Sequence, residues 1–135
     1  MTSHTEALLK EAAQFHGHLG PYLVLGLRMG MLAKTLLGGN PFNMKADIHA
    51  QKNPPQSCIL DGVQITSGCT FGKRNIHLEE DSSLYGVFTK DSETVTIRVN
   101  PHIVNSLRNI PRAELEVRAK ALFEKRDDEL FEVIE

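Results

Sequence analysis

The longest apolar stretch of the chain, YLVLGLRMGMLAKTLLGG at residues 22–39, sets the terms for any fold. A membrane span needs about 18 or more consecutive apolar residues. Arg28 and Lys34 interrupt this run, so it reads as a helix of a folded domain rather than a bilayer crossing. Pro21 suits the first turn of that helix, because the N–H it lacks has no partner there. Leu23, Val24, Leu27, Met31, Leu32 and Leu36 then recur at helical spacing. Gly26 and Gly30, four apart, share one face and permit close backbone approach, inside the monomer or across a dimer.

The segments around this helix point to one α+β domain over residues 1–135, an antiparallel sheet packed with helices. Ser3 and Glu6 fit a capping box for a first helix over about residues 4–15, which Gly17 and Gly20 end. MKADIHAQK alternates strictly: Met44, Ala46, Ile48 and Ala50 lie on one face, Lys45, Asp47, His49 and Gln51 on the other. SCILDGVQITSG predicts a short helix with Ser57 at its N-cap and Gly68 past its end. That places the Cys58 thiol at a helix N-terminus, where unpaired N–H groups favour the thiolate. NIHLEE, SLYGVFTK and ETVTIRVN read as strands, the last two joined by a hairpin turn at KDSE. A short helix follows Pro101, and PRAELEVRAKALFEKRDDEL predicts one long helix with Leu115, Ala119, Leu122 and Phe123 on its apolar face.

Charge and cysteine usage narrow the function. Lys and Arg number 15 against 17 Asp and Glu, and a net charge of -2 gives no long-range attraction for a phosphate backbone, so nucleic acid is not an expected partner. The N-terminal residues show neither a basic region ahead of an apolar core nor a cleavage site, which predicts a cytoplasmic protein with no membrane partner. Cys58 and Cys69 are too few for a disulfide framework and would be thiols in a reducing compartment.

Two segments carry residues suited to chemistry. His16-Gly17-His18 sets two imidazoles around a glycine whose freedom can let them converge, a common half-shell for zinc or a similar ion. The alternative is that His16 caps its helix and His18 bonds a backbone carbonyl. Cys58 and Cys69 lie eleven apart, too far for a local chelate, yet with the histidines they would complete a His2Cys2 set if the fold brought them together. Separately they rate as small core residues. Gly68, Gly72, Lys73 and Arg74 form a turn rich in amides and cations; it does not match the nucleotide-binding P-loop, and it reads as a solvated turn or an anion site. Asp61 and Gln64, on the intervening helix, are placed to orient ligands through hydrogen bonds.

FHGHLGPYLVLGLRMG and CILDGVQITSGCTFGKRNI, in this order, resemble the E-subunit family of formylmethanofuran dehydrogenase, over residues 6 to about 125. The resemblance implies an α+β domain, a homodimer, and a metal or redox-type site built from the histidine segment and the cysteines. His16 and His18 match the first motif; Cys58, Asp61, Gly62, Gln64, Gly68, Cys69, Thr70, Gly72 and Lys73 match the second. Family members carry cysteine shortly after the second histidine, where this chain has Gly20. Many also append a cysteine-rich zinc ribbon that is not found in this sequence.

The expected function is a metal-binding protein, either a redox-associated enzyme or an accessory component of a larger oxidoreductase complex. His16, His18, Cys58 and Cys69 are the expected ligands of zinc or another divalent transition metal. Cys58, Lys73 and Asp61 are the expected catalytic residues, Lys73 offsetting charge on a small anionic ligand. Gln64, Thr70 and Gly72 are the expected cofactor-binding residues. The alternative is a dimeric assembly module that keeps the fold without the reaction, its interface formed by the glycine face of the second helix.

Overall fold

The computed structural model describes residues 1–135. Helix α1 (Ser3–His16) is capped by Thr2, whose hydroxyl accepts from Thr5 N at 3.1 Å, so the cap lies one residue before the expected Ser3. Gly17, at φ 121°, ends the helix and returns its N–H to Ala13 O. Helix α2 (Pro21–Leu37) starts on its proline and is buried almost all round: Leu23, Val24, Leu25, Leu27 and Met29 have no exposed surface. It is therefore the central helix, packed against the sheet on one side and against α3 (Ile59–Ser67) and α5 (Leu115–Phe123) on others.

Five strands, β1 (Met44–Ala50), β2 (Ile76–Glu80), β3 (Tyr85–Lys90), β4 (Glu93–Val99) and β5 (Phe131–Ile134), form one sheet in the order β2-β1-β3-β4-β5. The alternation in β1 holds: Met44, Ala46, Ile48 and Ala50 are buried beside Phe88, Val95, Ile97 and Val99, while the polar set faces outward. The expected hairpin joins β3 and β4, with Asp91 at φ 55° in a two-residue turn.

The sheet is mixed rather than antiparallel throughout. β2 pairs parallel with β1, in register Ala46 to Ile76, since the chain between them returns through α3; the other pairings are antiparallel. The C-terminal region also departs from expectation. A short helix α4 (Pro101–Ser106) forms as anticipated, but the single long helix divides into α5 and α6 (Asp127–Leu130), and the chain then enters β5.

Glycines join α2 to α3. A Cβ on Gly26 would strike the Ile59 carbonyl and stand 2.9 Å from Gly62 Cα; one on Gly62 would strike the Leu23 carbonyl and stand 2.5 Å from Leu27 N. Thr66, four residues on, donates to Leu27 O at 2.8 Å. The glycine face of α2 is consumed inside the monomer by α3, so it is not the dimer interface that the assembly reading required.

Candidate functional site

The termination of α1 and the start of α3 meet at one cavity. Gly17 stops α1 with His16 in its last turn, and the four residues to Gly20 carry His18 outward before α2 begins. Across from them a short 3-10 turn (Gln56–Cys58) leads into α3, with Cys58 as its N-cap; Ser57 lies within that turn and does not cap the helix. His16, His18 and Cys58 line a cavity of about 90 Å³, closed by Tyr22, Leu107, Ile110 and Leu115 among others. The two imidazole centroids are 5.2 Å apart and the rings are tilted by 45°.

Each donor has a defined environment. His16 Nδ1 lies 2.5 Å from Asp61 Oδ2, one turn into α3. The carboxylate accepts, so Nδ1 is the donor, and in the neutral ring Nε2 then keeps its lone pair, the arrangement that prepares an imidazole to bind a cation. His18 is exposed and rests on the backbone of Gly20: a Cβ there would stand 2.8 Å from its Cε1 and 3.3 Å from its Nδ1. A side chain at position 20 would thus take the space the ring now occupies. Burial pushes the Cys58 thiol up, and the Asp61 carboxylate pushes it in the same direction. This reverses the expected acidification, because desolvation and a neighbouring negative charge outweigh the helix terminus. Burial also pushes the Tyr22 phenol up.

The other expected site residues occupy the opposite end of α3. Nine helical residues extend about 13 Å, so Cys69, just past the C-terminus, is not brought to the histidines. Its thiol is wholly buried in the core and donates to Met44 O at 3.5 Å. Lys73 Nζ donates to Thr70 Oγ1 at 3.0 Å, and Gly72 sits in the same turn. Gln64 bridges the two ends: its Nε2 donates to Asp61 Oδ1 at 3.4 Å and its Oε1 accepts from Phe71 N at 2.9 Å. A hydrogen-bonded chain therefore runs from His16 through Asp61 and Gln64 to the turn. No three histidine, cysteine, aspartate or glutamate side chains stand together at coordinating distance.

Tyr22, Leu107, Ile110 and Leu115 line the cavity and are not among the site residues expected from the sequence. Tyr22 had a signal, since it follows the Gly-Pro step beside His18; the other three come from distant segments and had none. His18 also borders an open groove of about 600 Å³ between α1 and α5, which includes Glu6, Lys10, Glu116 and Lys120. No helix is long and apolar enough to cross a membrane.

Comparison with known proteins matches residues 15–135 to a family model described as "FmdE, Molybdenum formylmethanofuran dehydrogenase operon". An Archaeoglobus fulgidus protein named "Probable S-adenosyl-L-methionine-binding protein" is 33% identical over 127 residues, which cover 90% of this chain and 34% of that protein. The chain thus spans about a third of the length of this relative.

Proposed function

Since this chain belongs to the FmdE family, we propose that it is a metal-binding accessory protein of an oxidoreductase system, with His16, His18 and Cys58 as the ligands of zinc or another divalent transition metal. The supporting observation is the His16–Asp61 pair on the wall of a cavity that His18 and Cys58 also line. Two imidazoles and a thiol suit a borderline ion, and the orienting carboxylate is the usual companion of a ligating histidine. Bound there, such an ion supplies a Lewis acid that polarises an oxygen or sulfur of a ligand. With three protein donors, a coordination position is left for that ligand.

The chain's own residues do the rest. Asp61 holds the His16 proton on Nδ1, and Tyr22 and the apolar side chains limit water in the cavity. His18 sits on an irregular loop beside open grooves, so it has room to turn toward the other donors. Cys58 must lose its proton on binding, so affinity rises with pH. Cys69, Thr70, Gly72 and Lys73 lie outside this set.

Elemental analysis of purified protein tests the reading. About one equivalent of metal is expected, lost in His16→Ala, His18→Ala and Cys58→Ala but retained in Cys69→Ser. No metal in the wild type, or equal metal in all four variants, overturns it. The name of the archaeal relative supports a second reading, a small-molecule binding module without a reaction, for which the 600 Å³ groove is large enough and the 90 Å³ cavity is not. Saturable binding of S-adenosyl-L-methionine that is lost in His18→Ala, in protein free of metal, would favour it.

A further inference from the structure

The turn at the far end of α3 and the loop before β1 present two aromatic side chains, Phe71 and Phe42. Phe42 exposes 78% of its surface and Phe71 73%. Neither loop is loosely held. Asn75 ties them together, its Nδ2 donating to Pro41 O at 2.9 Å and Met44 O at 3.1 Å while its Oδ1 accepts from Thr70 N at 2.9 Å. Phe71 is further fixed through its N–H to Gln64. The backbone that carries the rings is thus pre-ordered, and little main-chain freedom is lost when something covers them.

Cations surround them. Lys73 Nζ stands 5.5 Å from the centroid of Phe42, and Arg74 Cζ 5.4 Å from that of Phe71. Lys34 lies along Gly39 and the Lys90 ammonium reaches Gly38, in the loop that carries Phe42. None of these four cations belongs to an ion pair. The acidic groups nearest in the chain, Asp91 and Glu93, flank only Lys90. Four unpaired cations at one end of a chain of net charge -2 make that end a local positive field.

We infer that this end of the molecule docks an acidic protein segment, one that sets apolar side chains between its carboxylates. Aromatic residues and arginine are the side chains most enriched in the centres of protein interfaces, with charge pairs at the rim. The ring–cation geometry favours a protein over a lipid surface. To enter a bilayer each ring would have to part from the cation over its face, which would stay at the headgroups, whereas carboxylates can meet the cations where they stand as the rings are covered.

Fluorescence anisotropy with a labelled random copolymer of glutamate and tyrosine, and with polyglutamate, tests this. The wild type is expected to bind the copolymer more tightly than polyglutamate. The double variant Phe42→Ser/Phe71→Ser loses that preference, and Lys73→Gln/Arg74→Gln weakens both by at least about tenfold. All four side chains are at the surface loops, and unchanged thermal melts verify the fold. Equal copolymer binding by wild type and variants overturns the inference. So does binding to phosphatidylcholine–phosphatidylserine vesicles or to oligothymidylate in preference to the copolymer.

Discussion

Asp61 acts on two neighbours at once. It holds the His16 proton on Nδ1, and its charge adds to burial in keeping Cys58 protonated across neutral pH. Replacing it with asparagine separates these effects. Metal affinity is expected to fall about 10- to 100-fold, measured by competition with a chromogenic chelator. In metal-free protein, the pH midpoint for alkylation of Cys58 by iodoacetamide is expected to move down, because a charge that disfavours the thiolate is gone. It should stay above that of an ordinary thiol, since burial is the larger cause. Gly62 offers a test of packing: alanine there meets the Leu23 carbonyl, and a stability loss of about 3 kcal/mol is expected in urea denaturation. The types of the site residues were legible in the sequence, but the direction of the Cys58 shift was not, because it depends on which side chains surround the thiol.

Among the elements, strands β1, β3 and β4 could be read because one face of each is buried and the other is not. The break between α5 and α6 could not be read, since its cause lies on α2. Arg28, legible in the sequence only as a charge within an apolar run, donates to Phe123 O and Lys125 O at 2.6 Å each and to Asp127 Oδ1 at 2.8 Å. It takes up carbonyls that end α5 and turns the chain toward β5. Replacement of Arg28 by methionine leaves those carbonyls without a donor and is expected to cost about 2 kcal/mol. Lysine should recover only part of that, because an ammonium cannot reproduce the planar fork. Denaturant midpoints of the two variants decide it. The parallel pairing of β2 was hidden for the same reason: alternation reports burial, and strand direction follows from the crossover through α3.

At the scale of the molecule, α3 works as a spacer with the cavity at one end and the aromatic turn at the other. The second sequence motif spans both, which is why its residues read as one site and fold into two. Binding of an ion only by the folded chain should raise the melting temperature. At about a thousandfold excess over Kd the gain is about 4 kcal/mol, roughly 14 °C for a domain of this size, and His16→Ala should show no such rise by calorimetry. The glycine contact between α2 and α3 bears on ancestry as well. Where two backbones touch, heritable variation has no room, so divergence is steered to the rims of the seam. Position 20 differs in kind: the atoms nearest a Cβ there belong to the His18 imidazole, which can turn aside, so that site can exchange its chemistry while the same spine is inherited.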